Sequence, residues 1–132
     1  MNEWAFLQTD ATARARLTGL RSALRYNIRV LNEAYIKGKP DYVEPIYIQG
    51  IESYLSEPVN CTDELLTDLF GLLQMFKHME GARQTYGAPV MAMRDAREKL
   101  WPALVGLAER ALPHATKCLR VVEAAIEKMR PL

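Results

Sequence analysis

Cysteine is scarce: the chain holds only Cys61 and Cys118. Neither belongs to a CxxC pair, and neither has a histidine at ligand spacing. Small secreted domains stapled by disulfides carry more. The expectation is therefore two reduced thiols and a cytoplasmic location. Histidine is equally sparse, with His78 and His114 alone. No window approaches the roughly 18 apolar residues that span a bilayer. The first residues, Met1 to Leu7, lack a basic region and a small-residue cleavage site, so they do not read as a signal peptide. Asn-Gly and Asp-Gly hairpin turns are missing, as are alternating runs of Val, Ile and Thr. That removes the case for a sheet.

Motifs of chemistry are missing too. The chain has no P-loop, GxGxxG or GxSxG sequence. Di-iron bundles place Glu-x-x-His on facing helices, and none occurs here. The pair Asp63-Glu64 stands alone rather than in the dense acidic clusters that hold magnesium, and helix capping explains it. Arg110 and His114 are one residue closer than the Arg…His motif of HEPN ribonucleases requires, and Pro113 lies between them. The expectation is no catalytic residue, no metal and no cofactor. An enzyme would need a site built from His78 with Gln74 or Glu80, or from His114 with Glu109.

What the chain does have is helical periodicity. Its 132 residues, 49% hydrophobic and 25% charged, suit one globular domain. Apolar positions from residue 10 onward recur near 3.6 residues. Five helical segments are predicted, over about 9–37, 42–56, 63–86, 89–111 and 113–130. The fold expected is all-α: a single-domain antiparallel bundle of four to five helices, with 1–8 as an apolar docking segment.

In the first segment Leu17, Leu20, Leu24, Ile28, Leu31 and Tyr35 form one stripe, opened by Thr9 or Asp10 and closed by Gly38. The second starts from an Asp41–Glu44 capping box, with a short extended piece at 46–48 as the alternative. The third, capped by Thr62, is apolar over more than half its circumference and is expected at the centre of the core. Pro89 suits the first position of the fourth. Its inner stripe, Met93, Leu100, Leu104, Leu107 and Ala111, keeps phase through Pro102, so a bent but continuous helix is expected there. Pro113 or His114 opens the fifth.

Charge is segregated along the chain. Residues 11–39 carry a net +6, 40–76 a net −7 without any Lys or Arg, and 77–132 a net +4. Arg14, Arg21, Arg25 and Arg29 fall within an arc of about 80° on the first helix. Like charges at that spacing repel weakly and call for compensation. Three sources are open: the acidic 40–76 segment, solvent, or an anionic partner, either an acidic protein or a nucleic acid. A nucleic acid would be repelled by the −7 block unless that block faced away.

A second apolar stripe on the fourth helix, Trp101, Val105, Ala108 and Leu112, is either covered by the fifth helix or by the N-terminal Trp4-Ala5-Phe6-Leu7 segment, or left for a homodimer or partner contact. Tryptophan is enriched at interface centres. Tyr35, Tyr42, Tyr47 and Tyr54 line either the top of the core or a second contact patch. The function expected is a non-enzymatic adaptor, inhibitor or regulator that binds another protein and forms a homodimer. Its contact residues would be Arg14, Arg21, Arg25, Arg29, Trp101, Val105 and Leu112. The alternative is a nucleic-acid-binding accessory protein that uses the arginine stripe. No contact with a membrane is expected.

Overall fold

The structure, a computed structural model, describes residues 3–40, 43–87 and 94–129, with 3–10 and 94–95 as backbone alone. Among these residues it is all helix and connector, without a strand. Four helices form: α1 (Glu3–Val30), α2 (Gln49–Ser56), α3 (Asp63–Gly87) and α4 (Arg94–Glu127). The expected all-α bundle is what is found.

Helix α1 begins earlier than Thr9 or Asp10, so those residues lie inside it. Nothing in 3–10 breaks a helix, and Ala, Leu and Gln favour one. The apolar segment 1–8 lies outside the described side chains. Past Val30 the helix widens into a π-helical turn over Leu31–Ile36, which brings Leu31, Ala34 and Tyr35 into the core together. Gly38 ends it, and a Cβ there would sit 1.9 Å from the Ala34 carbonyl oxygen.

The segment expected as a helix from 42 is not helical before Gln49. Asp41 and Tyr42 lie outside the described residues, and Glu44 pairs with Arg29 instead of capping a helix. The extended alternative at 46–48 is nearer the observed path. Helix α2 packs tightly on α1: a Cβ on Gly50 would fall 2.6 Å from that of Ala23. Its C-terminal carbonyls are capped from a distance. The Arg16 guanidinium donates to the carbonyls of Ser53 (2.7 Å), Tyr54 (3.2 Å) and Glu57 (2.7 Å).

Asn60, in the left-handed region at φ 47°, turns the chain into α3. The Thr62 hydroxyl accepts from the Leu65 amide at 3.1 Å, the expected cap. Helix α3 is not surrounded as its composition suggested. Leu65, Leu69, Leu72, Leu73, Phe76 and Met79 are buried, but Phe70 is 48% exposed. The central position belongs to α4, which packs against α1, the π-helical turn and α3.

The fourth and fifth predicted segments are one helix. Pro102 and Pro113 both lie inside α4. Eleven residues separate them, which at about 100° per residue puts both on one face. That face is exposed. The carbonyls of Glu98 and Glu109, which lose their amide donors, sit on the same side, where water can serve them. Opposite runs an unbroken buried row: Leu104, Ala108, Ala111, Ala115, Cys118, Val122 and Ile126. Pro89 and Met93 lie outside the described residues.

Tyr35 and Tyr86 both meet Trp101, near the start of α4, while Arg25 meets Glu123 and Lys117 meets Glu64 and Asp68, near its end. Helix α4 is therefore antiparallel to both α1 and α3. Those two sit diagonally, bridged on the far side by α2 and the 43–48 connector.

Candidate functional site

The arginine stripe is largely engaged within the domain. Arg25 pairs with Glu123 of α4 at 2.6 Å. Arg29 reaches Glu33 and Glu44, each at 3.2 Å, and lies over the Tyr26 ring at 5.1 Å. The hydrogen bond that Arg29 donates to Glu33 leads the causes that raise the Arg29 pKa. Arg14 and Arg21 are half-buried, and the Arg21 Nε is enclosed without a hydrogen-bond partner. The acidic 40–76 segment mostly finds cations elsewhere. Glu52 pairs with Lys77 at 3.5 Å, and Glu64 and Asp68 pair with Lys117 at 3.3 and 3.1 Å.

The second stripe of α4 is largely occupied as well. Trp101 is half-buried, stacked on Tyr35 with ring centres 6.1 Å apart and tilted on Tyr86 at 5.9 Å. Arg97 caps this aromatic group, 4.5 Å from the Tyr86 ring centre. Ala108 is fully buried, and Leu112 packs against the core. Val105 is half-buried and outside the core cluster. The breadth of the apolar surface on α4 fits its place between α1, the π-helical turn and α3, all of which pack against it.

The arrangement that local sequence does not announce is the connector. Asn27 is fully buried, and it grips Tyr47 at two points. Its Oδ1 accepts from the Tyr47 amide at 2.7 Å, and its Nδ2 donates to the Tyr47 carbonyl at 3.0 Å. From α3, the Glu80 carboxylate accepts the Ile46 amide at 2.7 Å while binding the Arg83 guanidinium at 3.0–3.2 Å. The Tyr35 hydroxyl donates to the Glu44 carbonyl at 2.6 Å, and the Tyr86 hydroxyl donates to the Pro40 carbonyl. Burial pushes the Tyr35 phenol well above its ordinary range, which favours the protonated, donating form.

Over this clamped floor lies a groove of about 840 Å³. Gly19, Ser22, Ala23 and Tyr26 of α1 form one wall, at the i, i+3, i+4, i+7 spacing of one helix face. Glu80 and Arg83 of α3 form the other. Tyr26 and Tyr47 are 37% and 47% exposed, with their rings nearly perpendicular (88°) and centres 6.4 Å apart. A smaller hollow of about 330 Å³ shares Gly19 and Tyr47 and continues along α1 to Ala15. Of the four tyrosines singled out from the sequence, Tyr35 and Tyr54 are in the core and Tyr47 is at the surface. Tyr42 lies outside the described residues. Tyr26 was not anticipated, because it lies off the leucine stripe. The small residues spaced before it were the available signal.

His78 and His114 are both exposed. Glu80 turns toward the connector, away from His78, because two residues on a helix are about 200° apart. His78 and Glu109 do line one shallow depression with Arg110. No group of three metal-ligating side chains occurs among the described residues. Both cysteines are free thiols. Burial pushes the Cys118 thiol up to about 11, which marks a core residue rather than a nucleophile. Among the described residues no helix is long and apolar enough to cross a membrane.

No protein-family model, curated protein or solved structure matches this chain.

Proposed function

We propose that the protein works by binding another polypeptide, with a segment of that partner seated in the groove between α1 and α3. The observation that carries this reading is the pair of exposed tyrosines, Tyr26 and Tyr47, standing over a floor fixed by Asn27 and Glu80. Exposed tyrosines are rigid and amphipathic, so they supply contact area at small entropic cost. A preformed floor lowers the cost of ordering on association. The arginine stripe contributes less than its sequence promised, because Arg25 and Arg29 already face carboxylates. The same fact weakens the nucleic-acid alternative, which needs free cations to displace counterions.

No catalytic role is part of the proposal, and the location proposed is cytoplasmic. A homodimer stays within it on narrower ground: Val105 is the member of the α4 stripe left outside the core cluster. Light scattering of the full chain reads the oligomer directly.

The docking test is affinity capture from the native host with the wild type and a Tyr26→Ala, Tyr47→Ala double variant. A specific partner retained by the wild type and lost by the variant is the expected result. Equal retention by both removes the groove from the reading.

A further inference from the structure

Resting on the docking reading, we infer that the groove takes a proline-rich stretch of its partner in the polyproline II conformation. The first reason is what the floor cannot do. An incoming β-strand needs a row of free amide and carbonyl groups. Here the Tyr47 amide and carbonyl are held by Asn27, the Ile46 amide by Glu80, and Pro45 has no amide hydrogen. Strand addition has no edge to pair with.

The second reason is the polarity of what is left. Glu80, the carboxylate in the groove, is committed to Arg83 and the Ile46 amide. Arg83 uses Nε and Nη2 on Glu80, which leaves Nη1 to donate. Ser22, Tyr26, Tyr47 and Gln49 line the same groove, and their hydroxyls and amide can donate or accept. The surface can therefore donate at all five of these side chains and carries no spare negative charge. An acceptor-rich chain satisfies all five, Arg83 included, whereas N–H groups of a ligand could use only the hydroxyls and the Gln49 carbonyl. A polyproline II helix fits that description: it has no internal hydrogen bonds, its carbonyls point outward, and proline lacks the amide hydrogen. A helical ligand would keep its backbone acceptors to itself.

The third reason is shape. The Tyr26 and Tyr47 rings meet edge to face, with Arg29 over Tyr26, and both keep exposed ring surface of the kind against which proline rings pack. From Ala15 to Tyr26 the α1 wall runs roughly 16 Å at about 1.5 Å per residue. At about 3.1 Å per residue that accommodates about five residues of polyproline II.

The experiment is selection of a random-peptide display library on the intact protein, with binders mapped by amide chemical shifts. The expected result is enrichment of peptides with closely spaced prolines that perturb Ser22, Tyr26, Tyr47 and Gln49. For such a peptide, Tyr47→Ala weakens binding about tenfold. Tyr47→Phe, which keeps the ring and loses the hydroxyl, weakens it about threefold. Circular dichroism checks the fold of both, and the exposed Gln49→Ala substitution provides an independent variant. Proline-free peptides that bind in the groove overturn this inference and leave the docking reading standing. Enriched peptides that bind elsewhere, or no enrichment at all, overturn both.

Discussion

Around α4 the bundle is held by an apolar seam of small and branched side chains, from Leu104 to Ile126, with α1 on one flank and α3 on the other. Across the α1–α3 gap on the opposite side, the chain is held by polar side chains that grip a backbone without helix hydrogen bonds of its own. The two sides teach different things. The driving force in the seam is non-directional and scales with the apolar area removed from water. The clamped connector gives position. It is also where the groove lies, and sites that must hold a geometry are built on just such satisfied polar networks.

Substitutions can break this contrast, from the largest expected effect to the smallest. Phe76→Ala removes a fully buried ring from α3 and should cost about 3–5 kcal/mol by urea unfolding, lowering all parts of the fold together. Asn27→Ala leaves the Tyr47 amide and carbonyl without their partner and should cost about 1–3 kcal/mol. Its signature is local: hydrogen exchange should speed up over 43–48 well before the α4 seam responds. If exchange rises uniformly, the connector is not a separate element and the contrast fails.

Alkali tests both sides at once. The Cys118 thiol, raised from 9.0 to about 11 by burial, favours the fold while it is protonated. Its contribution is complete below pH 9 and is lost as pH climbs through 11. Tyr35, raised by burial, and Lys117, raised first by its hydrogen bond to Asp68, carry the same sign. The melting temperature should therefore fall above pH 9, with a shallower fall in Cys118→Ala. Arg25→Ala breaks an exposed pair and should cost under about 1 kcal/mol, with an effect that shrinks further in salt. A larger loss there would show that charge pairing, and not apolar packing alone, holds α1 to α4.

The seam was legible in the sequence and the clamp was not. Leu17, Leu20, Leu24 and Leu31 repeat at the helical period, and they are buried as that period requires. The stretch from 42 carried a helical pattern of its own, in Tyr47, Ile51, Tyr54 and Leu55. Its first half is pulled out of helix by Asn27, Tyr35 and Glu80, which lie 9 to 34 residues away along the chain. No local period encodes such partners. Arg16 carries no local signal for the same reason, since its role as a cap depends on carbonyls far along the chain. Pro113 reads as a boundary in the sequence because proline inside a helix is costly, roughly 3 kcal/mol. Only the placement of α4 between two neighbours shows what offsets that cost.

Those two prolines have a consequence for how the chain acquires its shape. Alone in water, a peptide of residues 94–127 would be interrupted at Pro102 and Pro113, leaving pieces too short to sustain themselves. The unbroken rod of about 50 Å exists because α1, the π-helical turn and α3 hold it along its length. Its helicity should then vanish in the same cooperative step as tertiary structure, with no residual rod in the denatured ensemble.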